Sequence, residues 1–169
     1  MNQWQVAGLQ PPHLTAMCAW EGAADFYRDM SFHGGLYNTW LDSWFENSAM
    51  PRQHGLGSNG YRSRVNGDLV SGPETLSEEE LGSNRSDFAG EFFSHPMEGE
   101  FWKERSGNLS KIEVPFFSAG NWGGHGLHLR GNVEGFMRAS SKEKWLEIHG
   151  LEHWTHFYTD YGVNLQKKF

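Results

Sequence analysis

Cysteine is almost missing from this sequence of 169 residues: Cys18 is the only one. One thiol excludes an internal disulfide framework and any zinc module built on several cysteines, and it suits a reducing compartment. Positive charge is also scarce. Fourteen Lys and Arg stand against 21 Asp and Glu, a net charge of −7, so the basic balance of a nucleic-acid binder is absent. No stretch approaches the roughly 18 consecutive apolar residues of a membrane span. The opening MNQWQVAGLQ has neither the charged nor the apolar region of a signal peptide. The expectation is a soluble, cytoplasmic protein with no nucleic-acid and no membrane partner. Aliphatic residues are few as well: hydrophobic residues make up 37% of the chain and aromatics alone 15%, including eight Trp and twelve Phe. A core built on large rings follows, in a length that fits one domain or part of a larger one.

The order of elements is more informative than the composition. NQWQVAGL reads as a helix closed by Pro11 and Pro12, which cannot continue it. HLTAMCAW is a short apolar run ending at Glu21 and Gly22, of the length of a buried parallel strand. Residues 23–50 carry aromatics at helical spacing, interrupted by Gly34 and Gly35. Residues 54–75 hold six Gly or Pro and almost no large aliphatics, which predicts an exposed, mobile loop. Ser77 followed by three glutamates reads as a helix N-cap with acids in the first turn, and a further short helix is predicted over 98–105. Strands are predicted within Ile112 to Ala119 and in KWLEIHG, with helices over 125–140 and 155–169. Strand, helical insertion, strand, helix, strand, helix is the pattern of an α/β protein with a parallel sheet. Chemistry in such sheets sits at the C-terminal ends of the strands, here Trp20 to Gly22, Gly120 to Gly124 and His149 to His156.

Six of the nine histidines (His13, His125, His128, His149, His153 and His156) lie in or near those ends. The pairs His125/His128 and His153/His156 have a helical i, i+3 spacing that could present a metal. No HExxH and no third ligand at motif spacing accompanies them, so no metal site is expected. A histidine just after a late strand is also where a serine hydrolase keeps its general base, and His153 has that position. No G-x-S-x-G elbow is present to supply a nucleophile; Ser58 in GLGSNG and Ser118 in FFSAG lack its glycine spacing. The glycines at Gly120 to Gly126 follow a strand but do not form a G-x-G-x-x-G, and no P-loop lysine accompanies them. Arg28, Asp29, Glu104 and Arg105 read as ion-pair or helix-capping residues.

The stretches NQWQVAGLQPPHLTAMCAWEGAADFYRD, EFWKERS, VPFFSAGNWGG and KWLEIHGLEHWTHFYTDYG together resemble the Xaa-Pro dipeptidyl-peptidase and cocaine-esterase family of α/β-hydrolases. The resemblance implies a partial α/β-hydrolase fold, a parallel sheet with an inserted helical cap. The hydrolase core would occupy 1–22 and 111–169, with the cap over 23–110. It implies a serine hydrolase acting on ester or amide bonds, acyl or Xaa-Pro, of small molecules or short peptides, and needing no cofactor. The family's G-x-S-Y elbow lies directly before a helix like the one at the start, so the nucleophile would fall just before Met1 and the chain alone would be inactive. The family's histidine matches His153, with His156 as competitor. Its acid matches Gly124, which has no carboxylate, and Glu21, at the end of the preceding strand, is the replacement. Glu21 could equally cap a helix starting near Ala23. Trp122 and Trp154 flank the two turns and would wall a substrate pocket, or pack in the core. The reading from another class is a non-catalytic binding or assembly protein, with an open sheet edge that permits a homo-oligomer.

Overall fold

A computed structural model describes residues 1–50, 56–72, 76–123 and 127–169. In chain order its main elements are α1 (Asn2–Gly8), β1 (Met17–Trp20), the hairpin strands β2 (Phe32–His33) and β3 (Leu36–Tyr37), α2 (Trp40–Trp44), α3 (Glu78–Asn84), α4 (Phe88–Phe93), α5 (Glu100–Arg105), β4 (Phe116–Asn121), α6 (Leu129–Arg138), β5 (Lys144–His149), α7 (Thr155–Tyr158) and α8 (Asp160–Lys168). They fall into two compact units, one formed by Met1–Leu36 with Met97–Phe169 and the other by Tyr37–Pro96. No helix among the described residues is long and apolar enough to cross a membrane.

The first unit is an α/β layer around a parallel sheet of order β1-β4-β5. Every residue of β4 is buried, as a central parallel strand covered on both faces must be, and its Phe-Phe-Ser-Ala-Gly-Asn run places nothing charged there. Met17 pairs with Phe116 and Trp20 with Ala119, while Phe116 pairs with Lys144 and Asn121 with His149. This register brings the ends of all three strands to one level. The core beneath them consists of Trp4, Ala7, Met17, Ala19, Ala24, Leu109, Ile112, Phe116 and Ala139. The Trp4 and Phe116 rings meet edge to face at 5.5 Å, a favoured aromatic geometry.

Helix α6 turns its small residues to the sheet: Gly131, Asn132 and Gly135 are its buried positions. A Cβ at Gly135 would overlap the Trp4 indole, and one at Gly131 the backbone of Gly22 and Ala24. Gly135→Ala is therefore expected to cost about 1–3 kcal/mol of stability through overpacking. Gly150→Ala, where a Cβ meets nothing within 4 Å, serves as the neutral comparison. Urea unfolding of the two variants checks this, and equal midpoints would contradict the packing described.

Three elements differ from the expectation. The first strand is confined to Met17–Trp20 rather than starting at His13. His13 has φ 71° and Leu14 N–H bonds Pro11 O, so the prolines set a turn in which the ladder cannot begin. The last helix is broken at Thr159, which is extended and accepts from Gly162 N–H at 3.1 Å as the N-cap of α8. The helix expected over 125–140 runs from Leu129 to Arg138, and residues 124–126 before it lie outside the described residues.

The second unit is helical and aromatic. Trp40 stacks on Trp44 at 5.6 Å, and Phe88 meets Phe45 at 4.8 Å and Phe92 at 5.5 Å. Ser77 and Glu80 form a reciprocal capping box on α3, as the Ser-Glu-Glu-Glu pattern predicts. Within the segment predicted as a mobile loop, an antiparallel bridge joins Arg62 to Leu69, and residues 54–55 and 73–75 lie outside the described residues.

Candidate active site

Glu21 follows the last residue of β1, and its N–H continues the ladder by bonding Ala119 O at 2.7 Å. It then takes a left-handed φ of 56°, uncommon for a residue with a side chain and sustained only where the surroundings over-determine it. Asn132 of α6 does much of this. Its Oδ1 accepts from Gly22 N–H at 2.8 Å, and its Nδ2 donates to Ala19 O and Ser118 Oγ, both at 2.9 Å. Trp4 Nε1–H donates to Gly22 O at 2.9 Å, tying helix α1 to the same turn. Beyond it, the buried Asp29 accepts from the N–H groups of Ala24 and Asp25 and from Arg130 at 2.7 Å.

The turn aims the Glu21 carboxylate at two histidines. His149 Nε2 lies 2.9 Å from Oε1, both side chains being nearly fully buried, and His153 Nδ1 lies 3.7 Å from Oε2. His153 stacks on His128 at 4.7 Å, and His149 stacks on His156 at 3.9 Å with the rings 12° from parallel. The helix-capping alternative for Glu21 is displaced. Asp25 accepts from Arg28 N–H, and Asp29 takes the N–H groups of Ala24 and Asp25. Arg28 pairs with Asp25 and Glu98.

Of the other residues singled out by sequence, His156 is buried, and neither ring nitrogen has a hydrogen-bond partner among the described residues. It therefore lacks the carboxylate at Nδ1 that a triad histidine requires. Trp122 and Trp154 are 70% and 73% exposed, so neither packs in the core, and Trp154 meets the His153 ring edge-on at 5.2 Å. Gly124, His125 and His54 lie outside the described residues. Ser118 is fully buried and donates to Asn132 O, which occupies its hydroxyl structurally. Burial pushes the Cys18 thiol above its ordinary range, away from a reactive thiolate. No group of three or more His, Cys, Asp or Glu among the described residues is arranged to hold a metal. The sequence placed His149 at a strand end without a role of its own, and gave no reason to single out Asn132. The first was visible only as the last residue of a strand, the second only as a polar residue inside a helix.

Burial dominates the electrostatics. It raises Glu21 to about 7, opposed by the Asn121 backbone N–H. It lowers His149 to about 4, helped by His156, and lowers His128 to about 4, helped by His153 and the Met1 amino group. Between the ordinary carboxylate value of 4.5 and about 7, folded Glu21 keeps a proton that the unfolded chain has lost. Its contribution is full below 4.5 and disappears as pH rises to 7. The two histidines run the other way: the unfolded chain takes up their protons below 6.5, so stability is lost as pH falls towards 4. On acidification from 6.5 to 4.5 two protons oppose folding and one favours it. Glu21→Gln removes the favourable one, so the loss of stability should steepen from about 1.4 to about 3 kcal/mol per pH unit. Urea titrations across this range test it; parallel slopes would contradict the assignment.

The family model of the X-Pro dipeptidyl-peptidases (S15 family) matches residues 1–158. Two crystal structures of a CocE/NonD family hydrolase from Staphylococcus aureus are similar at 33% sequence identity and a TM-score of 0.71. They cover 99% and 98% of this chain, which in turn spans 26% and 25% of theirs, about a quarter of their length. No curated protein matches the chain.

Proposed function

The chain belongs to the X-Pro dipeptidyl-peptidase (S15) family, and from that premise we propose that it supplies the acid and base of a serine hydrolase whose nucleophile stands just before α1. The observation that carries this reading is the Glu21 carboxylate facing Nδ1 of His153 at 3.7 Å, at the C-terminal ends of parallel strands. Nδ1 is the nitrogen that the acid holds in a triad, which leaves Nε2 for the serine proton. The distance is longer than a hydrogen bond, as catalytic contacts often are before substrate binds.

In this mechanism His153 Nε2 takes the serine proton as Oγ attacks the acyl carbon, and Glu21 stabilises the imidazolium. His153 then returns the proton to the departing alcohol or amine. Water repeats the sequence on the acyl-enzyme and frees the serine. The substrates are small esters or amides, acyl or Xaa-Pro, with Trp122 and Trp154 offering apolar surface beside the reacting groups, and no cofactor takes part. The chain spanning residues 1–169 alone is inactive on this reading. The test is turnover of a p-nitrophenyl acyl ester by the polypeptide of full family length. Hydrolysis that a fluorophosphonate abolishes irreversibly is expected. Absence of turnover, or turnover indifferent to that reagent, would overturn the reading.

A further inference from the structure

Two imidazoles share the Glu21 carboxylate, and only one is needed to take a proton from a serine. His149 cannot be that one: its side chain is 3% exposed, and it presents Nε2, the nitrogen a triad histidine keeps for its nucleophile, to the carboxylate instead. Its backbone is fixed as the last residue of β5, paired with Asn121 and accepting from Trp122 N–H at 3.0 Å. Its ring is held face to face with His156 at 3.9 Å and lies 6.1 Å from Trp20. A carboxylate anchored through one oxygen by so constrained a donor has lost its rotation, and its second oxygen keeps one direction. That oxygen, Oε2, faces His153.

We infer that His149 is a positioning residue, which holds one oxygen of Glu21 so that the other is presented to Nδ1 of His153. The inference rests on the proposed role of Glu21 and His153. The titratable groups around the contact are His153 and His156 on the segment after β5, His128 before α6, and Tyr161 of α8, whose ring is 5.5 Å from His156. Burial with His156 keeps His149 neutral down to about 4, so at working pH it is uncharged, and opposite an ionised carboxylate the tautomer that pairs is the one with its proton on Nε2. Without it, ionised Glu21 loses a hydrogen bond and holds its proton to higher pH.

The experiment compares His149→Leu, His149→Asn and His149→Gln in the polypeptide of full family length, using p-nitrophenyl ester turnover against pH. Glutamine places an N–H near the position of Nε2; asparagine places it near Nδ1, short of Glu21. Leu and Asn should lower kcat by about 10- to 100-fold with KM unchanged and move the lower limb of the kcat/KM profile to higher pH. Gln should restore most of the turnover and the parental limb. If the leucine variant does not fold, the Gln and Asn pair decides. A Gln variant as impaired as Asn, or a folded Leu variant with parental kcat and limb, overturns the role of His149 alone. A parent that neither turns over the ester nor reacts with a fluorophosphonate overturns the proposed function and this inference together.

Discussion

His153→Gln in the polypeptide of full family length should lower kcat by about 10⁴- to 10⁶-fold, the range for removing a triad base. Glutamine approximates the ring's size and can still hydrogen-bond Glu21, but it cannot take a proton from a serine hydroxyl at neutral pH. The side chain is partly exposed and stacks on His128, so its replacement leaves the buried core untouched and Tm should move little. His156→Gln supplies the contrast. His156 is buried against His149 and Trp20, so the loss there should fall on stability, read as Tm. Steady-state kinetics and thermal melts of both variants distinguish the roles. A His153→Gln enzyme with parental turnover would move the base elsewhere.

Glu21→Gln comes next, with an expected fall in kcat of about 10³- to 10⁴-fold. The amide has the carboxylate's shape but carries no charge, so it cannot stabilise the imidazolium formed at His153. No helix frays in this variant, because the N–H groups of the following turn are held by Asp25 and Asp29 rather than by Glu21. Kinetic loss and helix loss are thereby separated, and circular dichroism of the variant should match the parent. Burial places ionisation of Glu21 near pH 7, so parental kcat/KM should rise through that region, and the contribution of Glu21 to this rise should be absent from the Gln variant. Unchanged turnover would remove Glu21 from the mechanism.

The parallel sheet was legible because β4 is a continuous run without charge, which only a strand covered on both faces tolerates. The element order then supplied its neighbours. The limits of β1 and the break at Thr159 were not legible, since each depends on one hydrogen-bonding residue that competes with a regular run: the turn at His13 and the Thr159 cap. Glu21 and His153 were singled out by their positions after strands and by family resemblance. Asn132 and His149 could not be, because their roles depend on contacts 110 and 128 residues away in the chain. An asparagine in a helix carries no mark of the Gly22 N–H that it holds. Glycine spacing was the one available signal: Gly131 and Gly135 flank Asn132 on the buried face of α6, the first required by the backbone of Gly22 to Ala24 after Glu21 and the second by the Trp4 indole.

The most direct test of the proposed serine-hydrolase function is to label the product of the complete reading frame with a fluorophosphonate and map the adduct by mass spectrometry. A single modified serine is expected, in a G-x-S-Y turn directly before the residue numbered Met1 here, with Ser58 and Ser118 unmodified. No adduct, or an adduct on a serine within residues 1–169, would contradict it.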